Sequence, residues 1–519
     1  MKRSVSIVLL LCLSLGGCLS TRRTDRLVQR EVRRRVDADP YLSANVVEDA
    51  LIDGPEERPP APDVLTLESS LQIGTKHSRT LQNQRDRLYR DIVSLLGVRR
   101  NFGVNLAGTV SYVLSEDGDG AQDESADLAL SASRILPTGG DVSLSGDTGM
   151  DRSTDTNGVS SDVYGSSVRL RVDQPLLAGA GYGISHENLT QAQRSLVYAL
   201  RSFGLQRQDI AISSLEGFYA LLLQRSVLEN TRTNVGQSRR LRERSEALFS
   251  VNRAPAIDVL RAQQQELSAS NQLNRAEADY DGQIRRYLLS LGLSVEERAV
   301  IRGEVPGVTP LLADESACVM RALEYRLDLQ TVADRVDDAE RRLRQSKSWL
   351  RPDLDVYGTV TLSDSGAESF GDQELEEQYQ AGVTLELPID KRDERDAVKL
   401  ARLDLEAAQR ALEQKRDEVR LEVIDSFTRL DFLAGSVSIE RQNIEIAERR
   451  ARNAMLRFRN GELLNRDVVE AENELLAARN AYARVSVSYE VQRIKLLRNI
   501  GALDVRPDGT ILELEISKQ

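Results

Sequence analysis

The chain has 519 residues, more than one ordinary domain needs, so at least two structural units are expected. A formal net charge of -12 with 29% charged residues argues against nucleic acid as a partner, whose phosphates call for a basic surface. Aromatic residues make up only 4% of the chain, which points away from a large globular core and towards long helices.

The first twenty residues read as an address. Lys2 and Arg3 precede an apolar run, Val5 to Leu15, of signal-peptide length and too short to span a bilayer. It ends in Leu15-Gly16-Gly17-Cys18, which resembles the bacterial lipobox, so residues 1–17 are expected to be a signal peptide and Cys18 the acylated N-terminus. Leu19, in place of an aspartate, implies sorting to the outer membrane. An ordinary secretory signal with a chance cysteine is the plainer reading. Cys318 is then the one remaining cysteine, with no disulfide framework and no metal-like spacing. Residues 18–63 are expected to be a tether: an arginine-rich stretch (Arg22 to Arg35), then Pro55, Pro59, Pro60 and Pro62, read as a solvated spacer or as a basic segment near anionic lipid or peptidoglycan.

Beyond the tether the chain repeats itself. Phe218, Asn234, Phe249, Asp258, Ala262, Tyr280 and Gly292 each meet an identical residue 209 positions later, at Phe427, Asn443, Phe458, Asp467, Ala471, Tyr489 and Gly501. The expected organisation is a first repeat over 64–293, a linker over 294–312, a second repeat over 313–501 and a tail over 502–519. Each repeat reads as helix, strands, long helix, turn, helix. The first helices fall at 64–98 and 313–349, the long ones at 187–250 and 393–459, the last ones at 256–291 and 465–500. A helix of 64 residues is about 95 Å long and needs partners along its whole length. Val468, Leu475, Tyr482, Tyr489 and Leu496, each seven apart, form the stripe that keeps one seam on a neighbouring helix; Val259, Leu273, Tyr280 and Tyr287 hold the same phase in the first repeat.

The strands alternate. Leu106, Val110, Tyr112 and Leu114 share a face opposite Asn105, Thr109 and Ser111; Val168, Leu170 and Val172 oppose Arg169, Arg171 and Asp173; Leu354, Val356 and Val360 oppose Asp353, Asp355 and Thr359; Val383, Leu385 and Leu387 oppose Thr384 and Glu386. A soluble half-buried sheet gives this pattern, and so does a tilted membrane strand with one face to lipid.

Three motifs carry a family resemblance: Gln174-Pro175-Leu176-Leu177 before the glycine-rich Gly179-Ala180-Gly181, echoed by Leu387-Pro388-Ile389; the helix turns Phe249 to Leu260 and Phe458 to Val469, with Gly461 at a left-handed position that Asn252 takes in the first repeat; and Glu324-Tyr325-Arg326-Leu327-Asp328-Leu329. With them, residues 64 to 501 resemble the TolC family of outer-membrane efflux proteins. The resemblance implies a mainly α chain with a membrane β-barrel portion: tandem long helical hairpins forming a periplasmic α-barrel, and antiparallel strands forming a barrel in the outer membrane closed by a homotrimer. It implies a passive gated conduit of a tripartite efflux or type I secretion system, working with a periplasmic adaptor and an inner-membrane pump, lipid-anchored in the outer membrane and extending into the periplasm. An extra pair of strand-like segments, 127–135 and 140–148, departs from the simple pattern; inside the barrel it makes six strands per chain, and as an outer hairpin it leaves four.

No catalytic constellation, cofactor motif or metal cluster is visible, so the chain is read as no enzyme. Control is expected at the turns. Asp467 and Glu470 stand where the family places acidic rings at the tunnel entrance, and three copies of each would focus a negative potential. Asp258 is the counterpart in the first repeat, at a gate contact. Phe458 takes the place of a gate tyrosine and lacks its hydroxyl. Asp258 and Asp467 also begin helices, where capping alone accounts for them. Trp349 reads either as an anchor at the membrane–water boundary or as packing between helix and strand. The rival reading is a lipid-tethered periplasmic coiled-coil scaffold without a pore.

Overall fold

A computed structural model describes residues 21–39, 60, 62–118, 122–155, 159–252, 255–310, 314–366, 376–387, 389–460, 462–506 and 508–514. Cys18, Pro388 and Gly461 lie outside them. In chain order the elements are α1 (Thr21–Val36), β1 (Val64–Leu65), α2 (Leu67–His77), α3 (Arg79–Asn101), β2 (Asn105–Glu116), β3 (Gln122–Ile135), β4 (Asp141–Thr154), β5 (Ser160–Pro175), α4 (Tyr182–Ser185), α5 (Glu187–Ser250), α6 (Ala256–Ser290), β6 (Val300–Ile301), α7 (Glu315–Tyr325), α8 (Leu327–Trp349), β7 (Asp353–Gly366), β8 (Glu376–Glu386), α9 (Arg392–Arg459), α10 (Asn465–Asn499), β9 (Leu503–Val505) and β10 (Ile511–Glu513). The chain divides into two units, one built mainly on Tyr89–Ala199 and Thr331–Glu413, the other mainly on Leu200–Gln330 and Gln414–Gln519.

The first unit holds a six-stranded antiparallel sheet in the order β2-β3-β4-β5-β7-β8. The extra pair, β3 and β4, lies inside the sheet, which settles the open strand count at six. It pairs with β2 on one side and β5 on the other over its full length. The register puts like with like. Leu106, Ala132, Leu144, Leu170, Val360 and Tyr379 form one row across all six strands, and Asn105, Ser133, Ser143, Arg171, Thr359 and Gln380 form the neighbouring row on the opposite face. The apolar face is bare: Leu106 is 80% exposed and Tyr379 70%. Arg194 and Arg341 tie α5 to α8 through Asp338 at 3.1 and 2.7 Å, and Tyr198 donates to the same carboxylate at 2.8 Å.

The second unit is helical. Each repeat's first helix is broken, at Ser78 and at Arg326, and the break meets the end of the last helix. Gly292 (φ +84°) closes α6 and Gly501 (φ +66°) closes α10. A Cβ at Gly292 would sit 2.3 Å from the His77 carbonyl oxygen, and one at Gly501 would press on Tyr325. The second break is clamped by charge: Arg326, 6% exposed, holds Asp328 at 2.8 Å and Glu422 at 2.5 Å, while Lys415 reaches Asp328 at 3.0 Å. Burial by itself raises the Asp328 carboxyl, but the bonds and charges of Arg326 and Lys415 outweigh it and hold the group far below the usual carboxylate range.

One expectation needs correction. The arginine-rich part of the tether is no solvated spacer: Thr21–Val36 is α1, because Val28, Val32 and Val36 recur every four residues and are buried. Asp39 just beyond it is paired with Arg201 at 3.0 Å. The tail folds too. β9 and β10 form a hairpin whose Leu503 and Val505 are buried and whose Glu513 binds Arg493 at 2.7 Å. The linker is pinned at one point by the parallel pair β1–β6.

Candidate pore site at the helix turns

Asp258, Phe458, Asp467 and Glu470 all fall in the helical unit, at the turns joining α5 to α6 and α9 to α10. The first turn closes with Asn252 left-handed at φ +58°, as its place in the repeat predicts. Leu241 of α5 packs with Ala447, Ala451, Ala454 and Phe458 of α9 and Val468, Ala471, Leu475 and Ala478 of α10. The heptad stripe forms this seam: Val468, Leu475, Tyr489 and Leu496 are buried, and Tyr482 is half-buried. In the first repeat Val259, Leu273 and Tyr280 are only half-buried. Tyr287, the last member of that stripe, is buried, and so are Ala262, Ala269 and Ala276, also seven apart.

The structure does not gather the four predicted residues into one cluster. Phe458 is a core residue, 6% exposed, with the Arg244 guanidinium 5.9 Å from its ring centre. Its counterpart Phe249 is 46% exposed. Asp467 accepts from the Leu464 N–H at 3.3 Å, a capping contact, and lies 3.3 Å from Arg466. Glu470 meets Arg450 at 3.4 Å, an arginine that also binds Glu474. Asp258 is buried and lies 3.6 Å from Arg261. Each acidic residue named from the sequence therefore carries an arginine beside it.

The contact that joins the two turns was visible in the sequence only as a difference between repeats. Asn465 opens α10 and is fully buried; its Nδ2 donates to the Asp258 carbonyl at 2.9 Å and to Ser245 Oγ at 3.3 Å. The matching position in the first repeat is Ala256, which is exposed. The Asn465 Oδ1 is buried with no hydrogen-bond partner in the structure. Further along the same helices, Asn234 Nδ2 and Glu472 Oε2 are also buried without partners, beside two cavities of about 10 Å³ each that share Asn234, Gln237 and Glu472. Burial pushes the Glu472 carboxyl up, against the pull of Arg479 and Arg240.

Among the described residues no helix is long and apolar enough to cross a membrane, and no group of three or more His, Cys, Asp or Glu could hold a metal. Trp349 is half exposed, and its ring lies 3.4 Å from where a Cβ of Gly179 would stand. The contact fits the packing reading of this tryptophan.

Residues 319–502, nearly the whole second repeat, match the family model described as outer membrane efflux protein. The chain is 24% identical over 350 residues to the alkaline protease secretion protein AprF of Pseudomonas aeruginosa, covering 66% of this chain and 70% of the relative. Its fold is that of the outer-membrane channel OprN, at a TM-score of 0.65 and 16% identity over 87% of this chain and 95% of that one. VceC of Vibrio cholerae matches at a TM-score of 0.63 and 15% identity, over 84% and 96%. The family and these neighbours are channels and transport proteins.

Proposed function

We propose that this chain is one third of a gated outer-membrane conduit, a homotrimer lipid-anchored through Cys18 and served by a periplasmic adaptor and an inner-membrane pump for efflux or type I secretion. The observation that carries the reading is the six-stranded sheet. One face is polar from edge to edge, the other is apolar and bare, and the outer strands β2 and β8 each have an unpaired edge. An open edge and a bare apolar face are both untenable in lipid unless the sheet closes. Three copies joined head to tail, β8 of one to β2 of the next, close eighteen strands around a polar lumen. The long helices support the same assembly. Phe432, Ile439 and Ile446 of α9, seven apart, are more than 60% exposed in the single chain and need a neighbouring helix. A pore-free scaffold would cover the apolar face of the sheet, and no described residue of this chain does.

Entry is controlled, on this reading, at the two turns. Asp467 and Glu470 supply the acidic ring of the entrance, with Arg466 and Arg450 tempering its charge. Asp258 and Asn465 latch one hairpin to the other, and Phe458 anchors the second turn in the core. Purified trimers in a planar bilayer should conduct ions and should require detergent in solution. Folded trimers that never conduct would overturn the channel. Neutralising the ring with Asp467→Asn and Glu470→Gln should lower cation selectivity; unchanged selectivity removes these residues from the pore. Cys18→Ser should abolish incorporation of labelled palmitate, and retained label would remove the anchor.

A further inference from the structure

The two edges of the sheet differ in charge. At the edge where the β3–β4 turn, the end of β5 and the start of β7 meet helices, the backbone is laced together. The Gly181 N–H donates to the Thr138 carbonyl at 2.8 Å, Leu176 N–H to Leu354 at 2.8 Å, Ala178 N–H to Pro352 at 3.3 Å, and Lys391 Nζ to the Leu350 carbonyl at 2.9 Å. Four exposed cations without a carboxylate partner among the described residues stand along this edge, beside the exposed Asp141 and Glu386: Arg100 at the end of α3, Arg134 near the end of β3, Lys347 in the last turn of α8 and Arg351 just before β7. The register sets Arg134 opposite Val142, and thus on the apolar face, in the last rows before the strand ends. Trp349, half exposed, sits between Lys347 and Arg351. The opposite edge is acidic, with Glu116, Glu124, Asp162 and Glu377 exposed or half-buried near the strand ends. Arg152 is the cation there, and Asp162 holds it through two bonds of 2.7 and 2.8 Å.

We propose that the helix-side edge is a binding belt for anionic phospholipid of the periplasmic leaflet, with Arg134, Lys347 and Arg351 receiving the headgroup phosphate and Trp349 seated at the interface. The inference rests on the channel reading, which places this edge at the periplasmic side of the membrane. Charge complementarity selects the occupant. Unpaired cations at the end of an apolar face meet the phosphate layer, and an indole with one wet side belongs at the same depth. Guanidinium groups hold phosphate oxygens with two parallel hydrogen bonds. The acidic edge offers an anionic headgroup no such donors.

The test is native mass spectrometry of the purified protein in detergent, titrated with phosphatidylglycerol or with phosphatidylcholine of the same chains. The wild-type protein should retain phosphatidylglycerol roughly tenfold more strongly, a preference that fades in high salt. R134Q/K347Q/R351Q should erase the preference, whereas E116Q/E377Q at the other edge should keep it. R134K should keep most of it. Equal retention of the two lipids, or a preference that survives the triple change, overturns the belt. Conductance in a neutral bilayer reads the channel separately: wild-type protein that conducts without lipid preference refutes the belt and leaves the channel standing, and a non-conducting wild type refutes the channel.

Discussion

The two helix turns descend from one sequence and have been put to different uses. Phe458 is buried where Phe249 lies open, Asn465 is buried where Ala256 lies open, and Asp467 caps its helix through the Leu464 N–H while Asp258 makes no cap bond with its side chain. The seams differ in the same sense. Both repeats bury an alanine stripe, Ala262 and Ala269 in the first and Ala471 and Ala478 in the second, but only the second also buries Val468, Leu475 and Tyr489, whose counterparts Val259, Glu266 and Tyr280 are half-buried. Small residues bring a helix close to its neighbour, and large ones wedge into it. The lesson is that a duplicated hairpin keeps its period and redistributes its burial, so the second turn carries the packing and the first retains the exposed surface.

The largest test of this difference is a matched pair of truncations. Phe458→Ala should cost about 3–5 kcal/mol of stability, the usual price of an aromatic removed from a core. Phe249→Ala should cost about 1 kcal/mol or less. Equal losses in denaturant unfolding would erase the asymmetry. Next comes the latch. Asn465→Ala strips the buried Asp258 carbonyl and Ser245 hydroxyl of a donor, and should cost about 1–3 kcal/mol. Ala256→Asn, its mirror, adds a polar group at an exposed site and should change stability by less than about 0.5 kcal/mol. Asp467→Ala should follow at about 1 kcal/mol, the worth of a cap; a calorimetric shift no larger than for Glu470→Ala would deny the capping role.

The smallest and most diagnostic effect is on pH. The Asp328 carboxyl is lowered in the folded chain, so its contribution is present above the ordinary carboxylate value near about 4 and is lost as pH falls below it through the folded value. Glu472 is raised, so its contribution is present below that ordinary value and is lost as pH rises through the folded one. Asp328→Asn should flatten the acid side of a melting-temperature profile, and Glu472→Gln should flatten the side above it. The same flattening from both would contradict the opposite shifts.

Much of the architecture was legible in the residues. The 209-residue offset located both hairpins, and the observed helices α5, α6, α9 and α10 begin and end within a residue or two of the periodic segments. Alternation assigned every strand to its two faces, and the register confirmed the assignment row by row. Periodicity failed where burial came from distant chain. α1 read as a spacer because its arginines dominate the composition, yet three valines four apart suffice to bury one stripe. The site was legible by position alone. Arg466 and Arg261 are local neighbours of Asp467 and Asp258, but Arg450 beside Glu470 and Arg244 beside Phe458 come from neighbouring helices, at spacings that no local pattern marks.

By itself the sequence determined the duplicated helix–strand–helix plan, the two faces of the sheet and the heptad seams, because each is a local period repeated over many residues. Only the tertiary structure decided that β3 and β4 enter the sheet, since a hairpin's own pattern is the same inside a sheet or beside one and its outer neighbours must be seen. Only the tertiary structure decided which phenylalanine is core and which asparagine is a latch, because burial is set by whatever packs across a position, and repeat-equivalent residues in the two hairpins face different neighbours.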